Sequence, residues 1–168
     1  LNSLKDSSLE VLHLTQCSSS RGKGVLENGN VIDALAKLVA QSKHLLSLTL
    51  TGGVSARMLG IVFSGIVGIV GEHKPLQHLD ISGNSLGSSS EAVDALADLI
   101  QCDHMASLRV VCADNNGLDT DALEKLNAAA KKSRTLCVLD VRNDARAARK
   151  AGAKPTASDE ACRKAGAE

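Results

Sequence analysis

The chain has 168 residues, with Lys plus Arg and Asp plus Glu balanced at 19 each. A neutral chain lacks the basic field that holds phosphate, and its one aromatic residue, Phe63, gives bases nothing to stack on, so nucleic acid and anionic membrane surfaces are poor partners. The five cysteines, Cys17, Cys102, Cys112, Cys137 and Cys162, are odd in number and include no C-x-x-C pair, which argues against a disulfide framework or a zinc ribbon and for free thiols in a reducing compartment.

No basic and apolar leader opens the chain, whose first residue is Leu1, and the expectation is an excised piece in which Leu1–Ser7 closes a preceding unit. A first strand is predicted at Glu10–Thr15. Ser18–Gly29, polar and Gly-rich with Arg21 and Lys23, reads as a loop on one rim. Val31, Ile32, Leu35, Leu38 and Val39 then recur three and four apart, which makes one apolar helix face, with Asn30 placed as its N-cap. The second strand is predicted at Leu46–Thr51 and a helix at Ser55–Val70. Met58, Leu59, Ile61, Val62, Phe63, Ile66, Val67, Ile69 and Val70 cover most of that helix, so it expects burial on more than one side. The run Met58–Val70 is broken by Gly60, Ser64, Gly65 and Gly68 and falls short of the ~18 to 20 apolar residues of a membrane span. No G-K-[S/T] accompanies the spacing of Gly65, Gly68 and Gly71, so these glycines read as sites of close helix packing rather than a phosphate loop.

Pro75 sets an extended approach to the third strand. The next helix is predicted at Ser90–Gln101, buried through Ala92, Val93, Leu96, Leu99 and Ile100, with Ser88, Ser89 and Ser90 as candidate caps. The fourth strand, Arg109–Asp114, leads to a helix with Thr120 as N-cap, Leu123, Leu126, Ala129 and Ala130 inside, and Lys131, Lys132 and Arg134 in a last turn that favours cations. The fifth strand is Val138–Arg142. From Ala145 to Glu168 there is no large apolar residue, so an alanine-rich helix to about Lys150 and a mobile tail beyond Pro155 are expected.

A repeat organises these elements. Leu76, Leu79, Ile81, Asn84 and Leu86 match L-x-x-L-x-L-x-x-N-x-L, the leucine-rich repeat pattern. The frame returns as Leu108, Val111, Ala113, Asn116 and Leu118, as Leu136, Leu139, Val141 and Asp144, as Leu45, Leu48, Leu50 and Gly53, and as Leu9, Leu12, Leu14 and Cys17. The copies start 36, 31, 32 and 28 residues apart, each leaving room for a helix. In each strand the apolar positions, Leu12 and Leu14 through Leu48, Leu50, Leu79, Ile81, Val111, Leu139 and Val141, point to a core while their neighbours point away. Asn84 and Asn116 sit where the chain turns sharply and can satisfy backbone groups there; Cys17 also fits that corner, whereas Gly53 and Asp144 depart from it. The fold expected is α/β: a leucine-rich repeat solenoid, a horseshoe segment with a parallel inner sheet of about five strands and outer helices, occupying residues 1–144 and followed by the tail at 145–168. It is expected to be part of a longer array.

Over about Leu4 to Asp144 this pattern resembles the ribonuclease-inhibitor-like class of leucine-rich repeats, whose strands line the inside of a horseshoe. The phrase Leu79-Asp80-Ile81-Ser82-Gly83-Asn84 looks most like the CARMIL family, large scaffolds that link actin capping protein and myosin-I, and next like the tropomodulin C-terminal domain. The resemblance implies a non-enzymatic protein-protein interaction scaffold of the cytoplasm, associated with the actin cytoskeleton and needing no cofactor. The capping-protein-binding segment of CARMIL lies outside its repeats and has no match here. The alternative is a regulator of a small GTPase of the Ran GTPase-activating type, which shares the repeat class but carries a marked acidic tail; Arg146–Glu168 mixes both charges instead.

On the concave face the outward residues should form three columns: Val11, Ser47, His78, Val110 and Val138; His13, Thr49, Asp80, Cys112 and Asp140; and Thr15, Thr51, Ser82, Asp114 and Arg142. This mixture suits a protein partner, and His13, Thr49, His78, Asp80, Asp114, Asp140 and Arg142 are the expected binding residues. The same face gathers His13, His78, Asp80, Asp114, Asp140 and Cys112, but a flat array splays its side chains where a metal needs three or four converging, so no metal is expected. No Cys/His or G-x-S-x-G signature suggests catalysis, and Cys17 and Cys102 read as small buried apolar groups. An open first strand, with Leu4, Leu9 and Leu12 incompletely covered, and the apolar second helix predict weak self-association.

Overall fold

The computed structural model describes residues 8–15, 29–68 and 75–150. Its strands are β1 (Val11–Thr15), β2 (Ser47–Thr51), β3 (His78–Asp80), β4 (Val110–Cys112) and β5 (Val138–Asp140), and its helices are α1 (Gly29–Gln41), α2 (Ala56–Val67), α3 (Ser90–Gln101), α4 (Thr120–Lys132) and α5 (Arg142–Lys150). All five strands form one sheet in sequence order, every pair parallel. Leu12 is registered with Leu48, Leu48 with Leu79, Leu79 with Val111 and Val111 with Leu139, so the spacing of the sequence repeat is the register of the sheet.

Three-residue strands offer few ladder bonds, and one seam recurs where each strand starts. The carbonyl of Glu10 accepts from the N–H groups of Leu46 (2.7 Å) and Ser47 (3.0 Å), that of Leu46 from Gln77 and His78, that of Gln77 from Arg109 and Val110, and that of Arg109 from Cys137 and Val138. Each carbonyl thus fills both lone pairs from the next repeat.

Alternation then sorts the side chains. Leu48, Leu50, Leu79, Ile81 and Val111 have no exposed surface, and Val141 is also buried. Leu12, Leu14 and Leu139 are only partly buried, because the first and last strands have one neighbour each. On the helical layer α2 packs between α1 and α3, which accounts for its apolar circumference: Leu59, Val62, Phe63 and Ile66 are buried, while Met58, Ile61 and Val67 pack against the core's margin. A Cβ at Gly65 would lie 2.8 Å from Ala36 Cβ, whereas one at Gly60 would meet Ala92 Cα at an ordinary 3.4 Å. Gly65 is therefore the closer contact, as its spacing suggested.

The corners carry the finest detail. Asn84 Oδ1 accepts from the Val54 N–H (2.9 Å) while its Nδ2 donates to the carbonyls of Leu50 (2.8 Å) and Ile81 (2.7 Å). Asn116 repeats this one unit on, accepting from the Leu86 N–H (3.2 Å) and donating to Ile81 O (3.0 Å) and Ala113 O (2.9 Å). Asp144, expected to depart from the pattern, fills the same corner by accepting alone, from the N–H groups of Asn116 (2.9 Å), Gly117 (2.8 Å) and Leu118 (3.3 Å). In the second copy Gly52 (φ 75°) and Gly53 (φ 97°) turn the chain through left-handed backbone instead, which an L side chain would strain.

Several boundaries differ from expectation. The cap of α4 is Asp119, whose Oδ1 accepts from the Ala122 N–H at 2.8 Å; it has the extended backbone a cap requires, and Thr120 is already helical. Asn30 likewise lies inside α1, which begins at Gly29. Ser89 caps α3 through the Ala92 N–H, Ser55 precedes α2 without a side-chain cap bond, Ala130 is half-buried and Arg134 falls beyond the end of α4. The strands stop short of Asp114 and Arg142 because corner geometry begins there, and Arg142 opens α5. Leu1–Ser7, most of the Ser18–Gly29 loop, Ile69, Val70, Gly71, Cys17, Cys162 and the tail beyond Pro155 lie outside the described residues.

Leu79→Ala should cost roughly 2–5 kcal/mol in a denaturant titration, against about 1 kcal/mol or less for Asp80→Ala on the opposite face; similar losses would mean the faces are reversed. Asn116→Asp should cost roughly 2–5 kcal/mol, since a carboxylate would face two carbonyls it cannot donate to. Thermal unfolding should separate the two helix glycines: Gly65→Ala overpacks Ala36 and lowers stability by about 1–3 kcal/mol, while Gly60→Ala is neutral or gains up to about 1 kcal/mol.

Candidate functional site

The strand residues that do not enter the core form the face of the sheet turned away from the helices. Val11, Ser47, His78, Val110 and Val138 are mutually registered, as are His13, Thr49, Asp80, Cys112 and Asp140. Two predicted columns are therefore present as read. The third begins with Thr15 opposite Thr51, but Ser82, Asp114 and Arg142 lie past the ends of their strands and belong to the corners.

Val11 at 50% and Val138 at 41% are the exposed large apolar residues among those described, one at each end of the first column. His13 and Arg142 are exposed, and His78, Asp80, Asp114 and Asp140 are half-buried. Thr49 corrects the expectation of an open binding residue. It is only 7% exposed, since a short side chain on an inner strand sits between the longer His13 and Asp80 that register with it.

Polar contacts organise the acidic end. Arg142 grips Asp140 with Nε on Oδ1 at 2.9 Å and Nη2 on Oδ2 at 2.8 Å, and these hydrogen bonds hold the Asp140 carboxyl below the usual carboxylate range. Asp114 accepts from the Asn143 backbone N–H (2.7 Å) and from its Nδ2 (2.6 Å). Asp80 Oδ1 accepts from the Ser82 N–H at 2.9 Å.

Motif reading missed one line of contacts. His78 Nδ1 lies 3.2 Å from Ser47 Oγ and His78 Nε2 lies 3.9 Å from Cys112 Sγ, so a histidine does stand beside a cysteine. The residues come from three different repeats, and no local signature records the pairing; the column spacing was the available signal. The chemistry runs against a nucleophile, because burial first and the nearby Asp80 and Asp140 next push the Cys112 thiol up, away from the thiolate. Among the described residues no three His, Cys, Asp or Glu side chains gather as metal ligands, and no helix is long and apolar enough to cross a membrane.

No family model matches the chain, and no curated protein matches it by sequence. Among solved structures, the tropomodulin C-terminal domain of Caenorhabditis elegans is similar with a TM-score of 0.60 at 19% identity, over 96% of this chain and 86% of that one. The likeness is one of fold: together with the registered repeats it makes this an α/β leucine-rich repeat domain with a five-stranded parallel sheet.

Proposed function

We propose that this chain is a non-enzymatic docking scaffold of the cytoplasm whose open sheet face holds a protein partner through His13, His78, Asp80, Asp114, Asp140 and Arg142. The carrying observation is the division of labour in the strands. Alternate residues build the core, and the others form two registered columns that mix aliphatic, imidazole, thiol and carboxylate groups. A surface of that composition suits another protein better than one small anion, and nothing in the reading calls for a cofactor. The actin cytoskeleton is the proposed setting, supported by the CARMIL-like phrase at Leu79–Asn84 and by the fold shared with the tropomodulin domain.

A photo-crosslinking amino acid at position 110, on the open face, should yield covalent adducts with cytoskeletal protein in extract, and the same group at position 98, on the exposed side of α3, should not. Adducts from position 98 alone would sink the proposal. Weak self-association is a second element of it, through β1, where Leu12 and Leu14 are incompletely buried. Sedimentation equilibrium over a concentration series should show a rising mean mass, and a constant monomer mass would remove it.

A further inference from the structure

We propose that the open face of the sheet takes an amphipathic helix of its partner, aliphatic along one edge and bearing Lys or Arg along the other, laid across the strands. This rests on the docking role proposed above and adds the chemistry of what docks. The row where strands begin is aliphatic where it is open, with Val11 and Val138 the exposed large apolar residues among those described and Val110 half-buried between His78 and Val138. Acids gather at the other end of the last three strands, where Asp80 and Asp140 close β3 and β5 and Asp114 lies two residues past the end of β4. Asp140 is answered by Arg142, but Asp114 is held by the neutral Asn143 and Asp80 by a backbone N–H, so neither charge is paired with a cation among the described residues.

Dimensions favour a helix. Four residues along a strand span ~13 Å, close to the ~10–12 Å diameter of a helix with its side chains. Val110 and Val138 on adjacent strands stand ~4.8 Å apart, which matches the ~5–6 Å between residues three or four apart on a helix. Asp80 and Asp140 lie two strands apart, ~10 Å, near the ~11 Å of two helical turns. A partner with a basic edge is drawn toward Asp80 and Asp114, and one with an acidic edge is repelled.

The test uses the whole chain and three labelled helical peptides of about 14 residues, two-faced in Leu and Lys, in Leu and Glu, or in Ser and Lys, read by fluorescence anisotropy. The Leu/Lys peptide should bind at least about tenfold tighter than either other peptide. Asp80→Asn, which keeps the acceptor for the Ser82 N–H, and Val138→Ser should each weaken it by about fivefold or more, with circular dichroism showing an intact fold, while Asp98→Asn on α3 should change nothing. Failure of the Leu/Lys peptide to bind, or indifference to Asp80→Asn, overturns the proposal. Tight binding of the Leu/Glu peptide that Val138→Ser abolishes overturns the charge assignment but keeps the docking face. Leu/Lys binding weakened by Asp98→Asn and untouched by Val138→Ser overturns both.

Discussion

The structure depends on the side-chain amides at the corners of its third and fourth units, Asn84 and Asn116. With β3, β4 and β5 only three residues long, the backbone ladder alone joins neighbouring repeats weakly, and sharp turns leave buried carbonyls and N–H groups open. Asn84 and Asn116 close them with one group that both accepts and donates, each reaching into the preceding repeat. Ile81 O takes a bond from both amides, so the two corners are linked through a single carbonyl. A loss at one therefore leaves that carbonyl held by the other amide alone.

The same bookkeeping explains why an acid serves at the last described corner. By analogy with Asn116, a residue at position 144 would donate to Ala113 O and to its own Val141 O. The first already receives Asn116 Nδ2, and the second receives the Ala145 N–H at 3.0 Å as α5 begins. Each carbonyl thus has one partner without residue 144, and the carboxylate there turns both oxygens to three N–H groups. Sequence reading misplaced Asp144 because the pattern names a residue, while the physical requirement is a count of donors and acceptors.

The framework was legible because periodicity is a direct image of burial. Leu48, Leu79 and Val111 share a frame in sequence and a register in space, and the columns built on Val11 and His13 followed from it. Local chemistry was less legible. Asp119 and Thr120 are both good caps on composition, and only backbone angles decide between them. Thr49 looked open because alternation gives the direction of a side chain and says nothing of the height of its neighbours. The contact between His78 and Cys112 needed the rotamer of a side chain 34 positions away, which no sequence window contains.

That contact also separates two readings of the open face. A serine, a histidine and a cysteine in line have the composition of a nucleophilic site, so the local electric field must decide. Burial first raises the thiol's affinity for its proton, Asp80, Asp140 and Asp114 add to it, and Arg142 opposes them. A field that holds a proton on sulfur is also one that attracts a cation from outside. The acids that add to the effect of burial on Cys112 are thus also groups that attract a cation to the open face.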